Sequence, residues 1–138
     1  MEKIELSQSE ADAQLIRQKL FEFNFNRVPH DNHQTLYLIA RRQGVVIAGP
    51  VGDTYWSWLY ISFFWVDEHE RDKGLGSKIL AKAEEIAVQQ GCKKAHLETH
   101  DFQNLQFYLK RGYEIFGKLD DLPEGHTKYY LCKSIPEK

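Results

Sequence analysis

Downstream of residue 74 the apolar positions fall at helical spacing. Leu75, Ile79, Leu80, Ala83, Ile86 and Ala87 form one stripe, and Lys78, Lys82, Glu84, Glu85 and Gln89 fall mainly between them. Gly91 stands where a left-handed C-terminal cap belongs. The pattern predicts an amphipathic helix with one face in a core. Residues 59–66 before it are aromatic and β-branched over a length suited to a buried strand. Strand, glycine loop and helix therefore follow in order.

Elsewhere the pattern predicts shorter elements. Residues 4–6 read as a short strand, and Ser9 with Asp12 resembles a capping box opening a helix through Leu15, Ile16, Leu20 and Phe23. Residues 24–34, with Pro29, read as irregular. Residues 35–40 and 45–51 read as strands joined across Arg41, Arg42, Gln43 and Gly44, and Gly52 with Asp53 reads as a turn into a long strand over 55–66. A strand over 94–99, a short helix over 103–111 ended by Gly112, and strands over 113–118 and 127–132 complete the chain. Antiparallel strands followed by a β-α-β run predict an α/β (α+β) fold, with a mixed, mostly antiparallel sheet and helices on both faces.

At 138 residues the chain reads as a single domain, 1–138, able to bury roughly two-thirds of its unfolded surface. The first residues have neither a basic segment nor an apolar one, and no apolar run approaches the roughly 18 residues of a membrane span, so the expectation is a cytoplasmic protein with no membrane partner. Lys and Arg number 18 against 20 Asp and Glu, and the basic residues are scattered, which gives no footprint for nucleic acid. Cys92 and Cys132 lack metal or redox spacing and read as buried or half-buried packing residues.

The candidate chemistry begins at the helix start. The first N–H groups of a helix lack intrahelical acceptors and carry the positive end of its dipole, so they receive an anion if nothing bulky intervenes. Gly74 and Gly76 remove that obstruction, and Arg71, Lys73 and Lys78 add positive charge. A plain strand-to-helix turn with solvated basic residues is the bland alternative. A Walker-type loop fails, because Ser77 precedes Lys78 and no glycine lies five residues before Gly76. A dinucleotide loop places Ile79 where a third Gly or Ala should sit, although Glu98 lies about 20 residues downstream.

Arg71, Asp72, Lys73, Gly74, Leu75 and Gly76 match the signature [QR]-x-x-G-x-[GA], and Asn104, Phe107, Tyr108, Gly112 and Tyr113 match a second segment that follows it at the right separation. In these motifs, which cover about the second half of the chain, the sequence resembles the GNAT N-acetyltransferase superfamily. It looks most like small single-domain bacterial members with a Gly-His-Thr-x-Tyr segment, here from Gly125 to Tyr129.

The resemblance implies acetyl-CoA as cosubstrate and a splayed pair of parallel strands that admits its pantetheine arm. It implies contacts from Phe64, Trp65 and Val66, from the loop residues Arg71, Asp72, Lys73, Gly74, Leu75, Gly76 and Ser77, and from Asn104 and Tyr108. The bland reading of Phe63, Phe64 and Trp65 is ordinary core, and it suits most of these aromatics.

Transfer to an amine needs an acid for the departing thiolate and a route for the amine's proton. Tyr108 resembles the family's general acid; a phenol with the usual pKa of about 10 is protonated at neutral pH, so an alkaline limb is expected near there. Glu98, near the C-terminal end of its strand, is the candidate base, with a salt-bridged strand carboxylate or solvent as the alternatives. His96, Glu98 and His100 alternate on one strand face, but the two histidines stand about 13 Å apart on a flat strand and cannot share one ion. His30 and His33 lack an evident third ligand, so no metal is expected. His30, Asp31, His33, Tyr55, Trp56 and Trp58 read as the acceptor side.

The function expected is transfer of acetyl from acetyl-CoA to a primary amine, on a small molecule or peptide, by direct attack in a ternary complex. A noncatalytic acyl-CoA-binding module or sensor is the alternative, with a dinucleotide-binding protein behind it. Homodimerisation is an expectation the family brings.

Overall fold

The computed structural model describes residues 1–136, which form two compact units: Met1–Asp31, and a larger one beginning at Asn32. In the smaller unit, α1 (Glu10–Phe25) starts where Ser9 accepts a hydrogen bond from the Asp12 N–H at 3.3 Å. The capping is one-sided. The Asp12 carboxylate bonds the Ser7 hydroxyl at 2.6 Å instead of returning to the Ser9 N–H. Residues 4–6, expected as a strand, carry no pairing; so short a run has little preference of its own without a sheet edge to receive it.

The larger unit is built on a seven-stranded sheet among the described residues. Its elements are β1 (Gln34–Tyr37), β2 (Ala40–Arg42), β3 (Val45–Tyr55), β4 (Trp58–Val66), α2 (Leu75–Gln89), β5 (Lys94–His100), α3 (Leu105–Lys110), β6 (Glu114–Asp120) and β7 (Thr127–Ser134). The order is β1-β3-β4-β5-β7-β6, with β2 also on β3, and β4–β5 is the parallel pair in an otherwise antiparallel sheet.

Three boundaries differ from expectation. The strand expected over 35–40 divides into β1 and β2, both paired with β3. Gly52 and Asp53 do not turn the chain. They lie inside β3, where a Cβ on Gly52 would collide with the Tyr60 carbonyl of β4, so this glycine permits close strand approach. The reversal comes at Trp56 and Ser57, both at positive φ (46° and 66°), between the paired residues Tyr55 and Trp58.

Leu59 and Ile61 of β4, Leu97 of β5 and Leu131 of β7 pack with Leu80, Ala83 and Ala87 of α2 and with Tyr108 of α3, so both helices of this unit share one core. Helix α2 ends as its sequence implies: Gly91 takes φ 90°, and the Cys92 N–H returns to the Ala87 carbonyl at 2.9 Å. Beneath α2, Glu84 accepts from the Tyr113 hydroxyl and from Lys133 Nζ, each at 2.8 Å. Burial, then the charge of Glu84 and its hydrogen bond, push the Tyr113 phenol up. Cys92 is buried, which pushes its thiol up, and Cys132 is half-buried.

Candidate active site

The parallel ladder between β4 and β5 runs from Trp58 and Lys94 to Ile61 and Leu97 and then stops. Both strands continue beyond it, β4 on β3 as far as Val66 and β5 on β7 as far as His100. A bulge sits at this point. Ile61 pairs with Gly52 and Phe63 with Val51, leaving Ser62 as the extra residue, its hydroxyl on the Val51 carbonyl at 2.9 Å. The bulge bends β4 and reverses its alternation, so Phe64 and Val66 take the side that Leu59 and Ile61 held. Phe63 and Trp65 are consequently exposed, which corrects the core reading of these two aromatics.

A cavity of about 610 Å³ occupies the fork and runs to the start of α2. Of the residues expected to bind the cosubstrate, Phe64, Trp65, Val66, Arg71, Asp72, Gly74, Gly76, Ser77, Asn104 and Tyr108 line it, as does Glu98. Lys73 and Leu75 lie outside the lining.

The loop is held from both sides. Arg42 of β2 grips Glu70 through two hydrogen bonds of 3.0 and 3.1 Å, and Arg71 Nε donates to the Val66 carbonyl at 3.0 Å. Arg71 thus ties strand to loop as well as supplying charge. Asp72 and Gly74 both take positive φ, 62° and 82°. The first intrahelical bond is Lys78 N–H to the Gly74 carbonyl at 3.1 Å, so the amides of Leu75, Gly76 and Ser77 precede the ladder and have no acceptor within the helix. A Cβ built on Gly76 would meet Val66 and Phe107 side chains only at 3.5 Å, ordinary contact. Packing alone therefore leaves room for a single methyl group there, and the small residue keeps the amides of the first turn open to an anion.

Helix α3 brings Tyr108 to the cavity from the core side. Gly112 at φ 92° turns the chain back, and the Tyr113 N–H reaches the Tyr108 carbonyl at 3.1 Å. Tyr108 is buried among Phe64, Phe107 and Tyr113, and burial pushes its phenol up to about 12. Among the described residues its hydroxyl has no hydrogen-bond partner. Arg111, which the sequence did not single out, also lines the cavity. Its guanidinium lies 4.2 Å over the Phe107 ring, and its Nε is buried without a partner among the described residues.

Glu98 enters from the other side of the fork. It is the first β5 residue beyond the last rung shared with β4, and its Oε1 accepts from the Tyr60 hydroxyl at 2.7 Å. The neighbouring histidines are engaged separately: His96 stacks on Tyr60, and His100 Nδ1 meets Gln103 Oε1 at 3.2 Å. The Gly-His-Thr segment anchors the loop before α3, since His126 Nδ1 and the Thr127 N–H meet the two Asp101 oxygens at 2.9 and 3.0 Å.

On the expected acceptor side, Tyr55, Trp56 and Trp58 line a second cavity of about 670 Å³ with His96, Phe116 and Cys132. His33 is not in that lining and meets Asp53 at 2.8 Å. His30 and Asp31 belong to the smaller unit, where the His30 ring stands edge-on to Phe25.

Residues 3–113 match the Acetyltransferase (GNAT) family. The chain belongs to this family. Blasticidin-S acetyltransferase of Streptomyces morookaense is 38% identical over 94 residues, which cover 67% of this chain and 69% of that protein. An acetyltransferase of Agrobacterium fabrum is 33% identical over 119 residues, 86% of this chain and 87% of the relative. The crystal structure of an acetyltransferase from Bacillus cereus superposes with a TM-score of 0.89 at 29% identity, covering 96% of this chain and 97% of the other. The GNAT protein described here is accordingly an acetyltransferase, and its mixed sheet with one parallel pair is the fold of these relatives. Among the described residues, no helix is long and apolar enough to cross a membrane.

Proposed function

We propose that this protein transfers acetyl from acetyl-CoA to a primary amine by direct attack in a ternary complex, at the fork between β4 and β5. One observation carries the reading. The cavity that holds the bare amides of Gly76 and Ser77 at one end reaches Tyr108 and Glu98 at the fork, so anion binding and proton transfer share one space. The family match spans both units, which supports treating residues 1–138 as one catalytic domain.

The residues present fit the cosubstrate. The amides at the head of α2 suit a pyrophosphate, with Arg71 at its rim. Past Ile61, β4 keeps β3 on one side and has no β5 partner on the other, so its backbone there can bond the amide groups of a pantetheine arm. Acetyl-CoA supplies the thioester. Tyr108, kept protonated by burial, gives its proton to the departing sulfur, and Glu98 takes the proton the amine must lose.

Tyr55, Trp56 and Trp58 face an aromatic cavity on the Glu98 side of the sheet, which supports an acceptor approaching from there. The Streptomyces relative is named for acetylation of blasticidin S, and a small-molecule amine is the acceptor class we favour here over a peptide. A homodimer in the cytoplasm remains part of the proposal through the family alone.

The experiment is amine-dependent release of free thiol from acetyl-CoA across a panel of primary amines, with Glu98→Gln beside the parent. Release that depends on the amine and falls in the variant supports the reading. Tight acetyl-CoA binding with no release for any amine would turn the protein into a sensor, and parental rates in Glu98→Gln would leave solvent as the base.

A further inference from the structure

Glu98 stands where β5 has lost one of its two neighbouring strands. On β7 it has Tyr130 as its Cα partner, but the β4 rung that would face it is missing, because the ladder ends at Ile61 and Leu97. A glutamate side chain in that position has rotamer freedom to lose. Something must hold it if it is to meet an amine in one orientation.

Tyr60 does so from two rungs back. Its Cα partner is His96, so its ring lies against the histidine and its hydroxyl reaches diagonally to the next residue on the same face. The rings of Tyr60 and His96 are 4.6 Å apart and inclined by only 15°, and Trp58 stands edge-on to the same imidazole at 5.4 Å. Burial lowers the His96 pKa against the opposing charge of Glu98, so the stacked imidazole is held toward its neutral form. The phenol is fixed in orientation, and its 2.7 Å hydrogen bond occupies Glu98 Oε1. Among the described residues the second carboxylate oxygen has no hydrogen-bond partner.

We propose that Tyr60 is the positioning residue of the active site, holding Glu98 by one oxygen so that the other is presented to the incoming amine. The inference rests on Glu98 being the base. Burial first, then the hydrogen bond and charge of Glu98, then Tyr55 and Tyr130, push the Tyr60 phenol up, so it remains a donor wherever the enzyme works. Tyr130 itself lies near Lys128, with the ammonium 5.3 Å from its ring. Tyr60 touches neither substrate in this scheme. Its effect passes through the carboxylate.

The test is a double-mutant cycle in kcat with Tyr60→Phe, Glu98→Gln and the pair, with the KM for acetyl-CoA followed in each. Phenylalanine keeps the ring on His96 and removes only the hydroxyl. The expected result is a loss of roughly ten-fold in kcat for Tyr60→Phe at unchanged acetyl-CoA KM, and no further loss when it is added to Glu98→Gln. Parental kcat in Tyr60→Phe alongside an impaired Glu98→Gln would overturn the positioning role and leave the base assignment standing. Losses that multiply in the double variant would also overturn it, because Tyr60 would then act without Glu98. Parental kcat in Glu98→Gln would overturn both readings together. Calorimetric binding of acetyl-CoA to each variant establishes that the fold is kept.

Discussion

Ile61 and Leu97 are the last Cα partners between β4 and β5, and Tyr108 and Glu98 meet the cavity that opens beyond them. Ending the ladder there leaves main-chain groups of β4 without a sheet neighbour, an arrangement that a bound chain of amides can satisfy. The Ser62 bulge sits at the point where the ladder ends. Deleting Ser62 should restore regular alternation in β4 and reduce acetyl-CoA affinity at least ten-fold in calorimetry, while circular dichroism still reports the mixed fold. Unchanged affinity would separate the bulge from the site.

At the helix mouth the prediction is graded. Gly76→Ala adds a Cβ that meets Val66 and Phe107 only in ordinary contact and should bind acetyl-CoA nearly as the parent does. Gly76→Val adds two further methyl groups against the same wall and should weaken binding at least ten-fold. Equal affinity in both variants, measured by calorimetry, would remove the anion role from the α2 amides.

For Tyr108→Phe a loss of roughly a hundred- to ten-thousand-fold in turnover is expected, with acetyl-CoA affinity kept, as for loss of a general acid. The pH dependence differs from what an ordinary phenol would give. An acid works while protonated, and burial pushes this one up to about 12, so Tyr108 keeps its proton through pH 10. The parent's turnover should therefore show no alkaline decline assignable to Tyr108 below about pH 11, and a limb near 10 that disappears in the variant would contradict the burial argument.

Stability should depend on Glu84, which is remote from the chemistry. It is buried and held by Tyr113 and Lys133 at 2.8 Å each. Glu84→Ala leaves the Lys133 ammonium without its partner and should destabilise the fold by about 3–5 kcal/mol. Urea unfolding reads this directly, and a loss below about 1 kcal/mol would mean that Lys133 finds another partner or water.

Much of this site was legible before the structure. The stripe from Leu75 to Ala87 and the cap at Gly91 set α2, because helix starts and caps are local chemistry; Gly74, Gly76 and Tyr108, the last singled out through the family resemblance, line the cavity. What escaped depends on neighbours. Nothing in Trp56 and Ser57 marks a turn with two positive φ angles, and Gly52 looked like a turn because its close approach to Tyr60 exists only once β3 and β4 pair. The Ser62 bulge changes which aromatics face inward, so reading the whole of 59–66 as buried strand missed the exposure of Phe63 and Trp65. Nothing in the sequence singles out Arg111, whose Nε is buried only once α3 packs.

In the proposed reaction acetyl passes straight from thioester to amine across the fork, with neither Cys92 nor Cys132 taking it up. Initial rates of thiol release over a grid of acetyl-CoA and amine concentrations test this most directly. Direct transfer predicts double-reciprocal lines that intersect and no release without amine. Parallel lines, with a burst of thiol before any amine is added, would contradict it.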